Sequence, residues 1–133
     1  MARKKSSEQL TPLELDIMKV LWEIGPATVQ AVQQNLPEER SLAYTTVQTM
    51  LNVLHRKGKV KRRLKNRAYH YQPTVTRRQV AGQAIGDIVN RLFGGSAESL
   101  VMSMIEHRHL TPQKLAKLNK LLDEAKEARD GND

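Results

Sequence analysis

Along the first half of the chain, apolar residues recur at helical spacing and then switch to alternation. Leu13, Ile17, Val20, Leu21 and Ile24 share one face of a helix that starts at Pro12. Its start is written in Leu10-Thr11-Pro12-Leu13-Glu14, where an apolar residue precedes a Thr N-cap, Pro takes the first helical position and Glu follows at the third. Gly25-Pro26 stops it. Ala27-Thr28 predicts a short strand, Thr28 caps a brief helix over 29–35 that turns Val29, Val32 and Leu36 inward, and Pro37-Glu38-Glu39 is a turn. A further helix over 43–57 places Val47, Met50, Leu51 and Leu54 on one face. The opposite face carries Thr45, Thr46, Gln48, Thr49, Asn52 and Arg56. Gly58 ends this helix, because glycine takes the left-handed conformation of the position after the C-cap without a Cβ clash. Val60, Arg62 and Leu64, a turn at Lys65-Asn66-Arg67, then Ala68, Tyr69, His70 and Tyr71, closed by Pro73, predict a β-hairpin.

After Pro73 the pattern is helical throughout. A helix over 76–93 carries Val80, Ala84, Ile85, Ile88, Val89 and Leu92 and ends at Gly94-Gly95. Ser96 caps the next, to about 106, with Leu100, Val101, Met104 and Ile105 apolar. Leu110-Thr111-Pro112 repeats the starting device of the first helix and opens a last one with Leu115, Leu118, Leu121, Leu122 and Ala125 on one side. Three helices joined by short loops cannot bury all these stripes against one another, so a second copy of the chain is expected to cover them. The residues expected in that dimer are Val80, Ala84, Ile88, Leu92, Leu100, Val101, Met104, Leu115, Leu118 and Leu122.

The resulting fold class is mainly α with a small antiparallel β wing: a winged helix-turn-helix domain followed by a helical dimerisation domain. The expected division is a flexible basic tail over 1–9, the winged-helix domain over 10–75 and the dimerisation domain over 76–133.

Charge turns this architecture toward a polyanion. The 133 residues hold 22 Lys and Arg against 14 Asp and Glu, a formal charge of +8. Residues 1–75 contribute 13 basic and 6 acidic side chains, net +7, while 76–133 contribute 9 and 8, net +1. From Arg56 to Arg67 there are eight basic residues and no acid. A polar-faced helix followed by a basic hairpin assigns base reading in double-stranded DNA to Tyr44, Thr45, Thr46, Gln48 and Thr49. Phosphate binding falls to Arg56, Lys57, Arg62, Arg63, Lys65 and Arg67. The plain reading of the same residues is a solvated helix face beside a solvated basic hairpin.

Other chemistry is excluded or unsupported. With no cysteine, the chain has no disulfide, thiolate metal site or cysteine nucleophile. His107 and His109, two apart, do not share a helix face, and no metal or cofactor is expected. No nucleophile elbow, phosphate loop or acid pair suggests an enzyme. Aromatics at 4% argue against stacking-based single-strand binding, and Trp22, the one tryptophan, is expected in a core or interface. Lacking a bilayer-length apolar run or a signal-peptide pattern, the chain is expected to be cytoplasmic and not membrane-inserted.

The order and spacing of several segments resemble the penicillinase-repressor (BlaI/MecI/CopY) family. They are Leu10-Thr11-Pro12 through Leu21-Trp22, Tyr44-Thr45-Thr46-Val47 with Leu51-Asn52 and Lys57-Gly58, the strand from Tyr69 to Pro73, and Gly94-Gly95 followed by Ser99-Leu100-Val101. The resemblance runs from about Leu10 to Asp123. It implies a homodimeric repressor whose winged helix binds an operator dyad, often with TACA and TGTA arms, and whose C-terminal helices dimerise. In the antibiotic-responsive branch it also implies a membrane sensor protease system that acts indirectly, through cleavage at an Asn-Phe pair; the matching position here is Ser103-Met104. The copper-responsive branch uses C-terminal cysteine pairs, which this chain lacks. A nonspecific architectural winged-helix protein that binds double-stranded DNA or RNA remains the alternative.

Overall fold

The computed structural model describes residues 9–131, so the tail expected over 1–9 lies outside the described residues except for Gln9, and the described chain divides into two compact units between Ile85 and Gly86. The first contains α1 (Pro12–Ile24), α2 (Val29–Asn35), a 3₁₀ turn (Glu38–Arg40), α3 (Tyr44–Arg56) and the antiparallel hairpin β1 (Val60–Lys65) and β2 (Ala68–Pro73). α4 (Arg77–Leu92) spans the boundary, and α5 (Ala97–Glu106) and α6 (Pro112–Gly131) complete the second unit.

Each start signal in the first unit performs as its chemistry dictates. Thr11 Oγ1 accepts the N–H of Glu14 at 3.2 Å while Glu14 Oε1 accepts the N–H of Thr11 at 2.9 Å, so two otherwise orphaned donors at the head of α1 are satisfied reciprocally. Thr28 caps α2 through the N–H of Ala31. α3 begins one residue later than the pattern predicts, because Ala43 is extended and serves as an N-cap without a side-chain acceptor.

The core is a three-helix layer closed by the base of the hairpin. Ile17, Met18 and Leu21 of α1, Val32 of α2 and Val47, Leu51 and Leu54 of α3 are fully buried, and Val60 and Tyr71 seal the layer from the sheet side. Burying each such aliphatic side chain contributes about 1.5–3 kcal/mol. Two positions on α1 differ from the sequence reading. Met18 belongs to the core, since the buried face is centred on 14, 17, 18 and 21, and Ile24 is 40% exposed because it is the last helical residue before the turn at Gly25.

Ala27 forms an isolated bridge to Tyr71, with N–H···O distances of 3.0 and 2.8 Å in the two directions. The segment before α2 thus reaches the hairpin as one bridged pair and extends no further as a strand. The hairpin turn is tighter than predicted: Lys65 pairs with Ala68, leaving Asn66 and Arg67 as a two-residue loop with φ of 53° and 67°. Positive φ at both central residues matches the right-handed twist of the flanking strands.

In the second unit, Ser96 caps α5 through the N–H of Ser99, as the sequence predicts. Apolar side chains on these helices stay open to solvent within the single chain, among them Ile88, Leu92, Val101, Leu118, Leu121 and Leu122, while Leu100, Met104 and Leu115 are half-buried. On the first-unit part of α4, Val80 and Ala84 join Leu10, Leu15 and Lys59 around a cavity of about 130 Å³. No helix among the described residues is long and apolar enough to cross a membrane.

Candidate nucleic-acid interface

The outward face of α3 is built by its inward one. With Val47, Leu51 and Leu54 held in the core, the helical period turns Thr45, Thr49 and Arg56 directly away from it and sets Thr46 and Gln48 on the two flanks; all five are exposed. Tyr44, at the helix start, is 46% exposed. Tyr44 and Gln48 face the hairpin across a cleft of about 310 Å³, which Thr28, Gln30, Arg67 and Tyr69 also line. All five residues expected to read bases are therefore reachable from outside, on one helix, next to the hairpin.

The hairpin has two chemically different faces because successive side chains alternate. Val60, Arg62 and Leu64, paired with Pro73, Tyr71 and Tyr69, form the face continuous with the core. Lys61, Arg63 and Lys65, paired with Gln72, His70 and Ala68, form the other, and these three cations are exposed. Arg67 is exposed at the tip. Lys61 is absent from the sequence-derived phosphate set. Its two-residue spacing to Arg63 and Lys65 is the signal that assigns it to the same outer row.

Two members of that set have internal partners. Lys57 Nζ lies 2.9 and 3.1 Å from the two carboxylate oxygens of Glu14, and Glu14 is buried. A carboxylate in that position is costly without a counter-ion, and Lys57 supplies it. Arg62 Nη1 donates to Asn52 Oδ1 at 3.1 Å, and its guanidinium carbon sits 4.3 Å from the centroid of the Tyr69 ring. The remaining members, Arg56, Arg63, Lys65 and Arg67, are exposed and form none of the ion pairs found among the described residues. An exposed, acid-free row of this kind attracts phosphate electrostatically and supplies no sequence information.

Away from this surface the described residues offer no group of three or more His, Asp or Glu suited to a metal ion. Ser103 and Met104 lie inside α5, where their carbonyls accept from the N–H groups of His107 and His109 at 3.0 and 2.8 Å.

Residues 10–124 match the penicillinase repressor family. Among curated relatives, a penicillinase repressor of Bacillus licheniformis is 26% identical over 92% of this chain and 95% of its own length. The transcriptional regulator BlaI of Mycobacterium tuberculosis is 34% identical over 74% of this chain and 72% of its own. Among solved structures, the Bacillus licheniformis BlaI monomeric form in complex with the blaP half-operator aligns at 28% identity with a TM-score of 0.47, over 54% of this chain and 88% of that one.

Proposed function

The chain belongs to the penicillinase repressor family of DNA-binding transcriptional repressors, and from that premise we propose that it acts as a homodimer on an inverted-repeat operator. α3 enters the major groove of each half-site and the hairpin lies along the flanking phosphates. The observation that carries this reading is the juxtaposition on one surface of the exposed polar face of α3 and the exposed basic row of the hairpin.

In this reading Gln48 pairs with an adenine edge, Thr45, Thr46 and Thr49 offer methyl and hydroxyl contacts, and Tyr44 anchors the helix start. Arg56, Lys61, Arg63, Lys65 and Arg67 bind phosphate, giving affinity and register. The exposed apolar residues of α4–α6 support the dimer, since Ile88, Leu92, Val101, Leu118 and Leu122 are exposed within the single chain and a second copy would cover them. Val80 and Ala84 belong less directly to that surface, because both already line the cavity with Leu10 and Leu15. A two-fold protein reads a two-fold operator most directly. A membrane sensor protease acting indirectly would derepress at Ser103-Met104 in α5 only by a cut at a pair other than Asn-Phe, since this chain carries Ser-Met at the matching position.

The test is a salt-resolved titration of the protein against a duplex carrying a TACA/TGTA inverted repeat and against the same bases shuffled. Preference for the repeat by roughly a thousandfold or more is expected of a specific repressor. Equal affinities that weaken together with salt would instead favour a nonspecific architectural protein.

A further inference from the structure

Arg62 sits in the densest basic stretch of the chain, yet its surroundings differ from those of its neighbours. Strand alternation places it with Val60 and Leu64 on the face that continues into the core, opposite Lys61, Arg63 and Lys65. Its guanidinium is held from two directions at once. One nitrogen donates to Asn52 Oδ1 at 3.1 Å, and the carbon lies 4.3 Å above the Tyr69 ring, well inside the range of a cation–π contact. The same Asn52 oxygen accepts from the Tyr71 hydroxyl at 3.4 Å, using the second lone pair of a carbonyl. Tyr71 is 2% exposed, pairs with Arg62 across the sheet and carries the backbone bridge to Ala27. Asn52 therefore stands on α3, one turn beyond Gln48, and takes hydrogen bonds from both strands of the hairpin.

We propose that Asn52 is a positioning residue that fixes the angle between α3 and the hairpin, and that Arg62 acts as a strut between them and not as a phosphate ligand. The proposal rests on the reading of α3 as the base-reading helix and the hairpin as the phosphate clamp. If the two are to engage one duplex together, the spacing between the rows Thr45–Thr49 and Lys61–Lys65 must be held within the tolerance of hydrogen bonds. A two-stranded hairpin is by itself too weakly braced to hold it. The planar fork of arginine suits this role better than lysine, because it can stack on a ring and donate in its plane at the same time. Polar groups coupled in this way act as a unit, so removing either end removes the function of both.

The experiment compares the wild-type 133-residue chain with Asn52→Ala, Arg62→Ala, Arg62→Lys, the double variant Asn52→Ala/Arg62→Ala, and Arg63→Ala as a phosphate-binding reference. Each is titrated over a range of salt against the inverted-repeat and shuffled duplexes, with folding at the assay temperature checked by circular dichroism. Arg63→Ala, which removes one phosphate contact from each protomer of the bound dimer, should flatten the log–log salt slope by about two units. Arg62→Ala and Asn52→Ala should leave the slope at the wild-type value while each lowers affinity for the repeat by roughly tenfold, and the double variant should be no worse than either single one. Arg62→Lys, which keeps the charge and loses the fork, should behave like Arg62→Ala.

A flattened slope in Arg62→Ala together with recovery in Arg62→Lys would make Arg62 a phosphate ligand and overturn the proposal. Unchanged affinity in Asn52→Ala would overturn it as well. Should Arg62→Ala fail to fold, the decision passes to Arg62→Lys and Asn52→Ala, which retain most of the local packing. If wild type fails to prefer the repeat, the reading of the protein as a specific repressor fails. The slope comparison, made on either duplex, still decides the role of Arg62.

Discussion

The indole N–H of Trp22 donates to the carbonyl oxygen of Val75 at 2.9 Å, tying the end of α1 to the segment that leads from the hairpin into α4. That segment is held at further points: Thr74 N–H donates to the Lys59 carbonyl at 2.9 Å, Thr74 Oγ1 to the Gly58 carbonyl at 2.6 Å, and the Arg77 guanidinium lies 5.5 Å from the Trp22 ring centroid. The connection is thus pinned to the winged unit on both sides of Val75. Trp22→Phe keeps most of the ring packing and deletes the donor, and is expected to lower stability by about 1 kcal/mol in urea unfolding followed by circular dichroism. An unchanged midpoint would mean that water replaces the indole without loss.

A second pair joins the ends of two helices. Glu14 accepts from Thr11 at the head of α1 and from Lys57 at the end of α3, so one buried carboxylate caps one helix and neutralises the ammonium at the other. Lys57→Met should therefore cost stability, about 1–3 kcal/mol given that the lysine side chain keeps some solvent. The salt slope of DNA binding should stay where it is. The opposite result, a stable variant with a flatter slope, would return Lys57 to the phosphate set.

Much of this was legible because local chemistry and the global fold agree. Thr11-Pro12 with Glu14, Thr28, Gly58 and Ser96 each mark an element boundary by a mechanism that operates within a few residues, and each boundary is found within a residue of its signal. The core face of α3 follows from periodicity alone. What escaped is non-local. That Lys57 meets Glu14, 43 positions away, and that Arg62 meets Asn52, depends on how α1, α3 and the hairpin pack, and a run of like charges looks uniform until that packing sorts it. Lys61 is the exception, since strand alternation already placed it beside Arg63 and Lys65.

The hairpin tip carries an arginine where the backbone favours glycine. Arg67 has φ of 67° and follows Asn66 at 53°, and two-residue turns of this type prefer Asn-Gly. Holding a side chain in the left-handed region costs roughly 1–2 kcal/mol. Arg67→Gly should accordingly raise the unfolding midpoint while flattening the salt slope by about two units, one for each protomer of the dimer, a gain in stability set against a loss of affinity. Thermal melts and salt titrations on the same preparation separate the two effects. If affinity and slope both survive the change, the tip does not touch phosphate.

The last prediction concerns the helices that leave the winged unit. On α6, Leu115, Leu118, Leu122 and Ala125 follow the alternating three- and four-residue spacing of a helix–helix seam, and within the single chain Leu118 is 46% and Leu122 61% exposed. Placing a charge in such a seam leaves it desolvated and unpaired in the dimer but freely hydrated in the monomer, so the equilibrium shifts by the full cost of burial. Leu118→Glu/Leu122→Glu should sediment as a monomer at micromolar concentration while its thermal melt retains the transition of the winged unit, whose core lies on α1–α3 and the hairpin base. Its affinity for a single half-site should match that of the wild-type chain, and its affinity for the full inverted repeat should fall toward that same value, because the second half-site is no longer reached by a tethered partner. A variant that remained dimeric would move the interface off α6 and leave α4 and α5 to supply it.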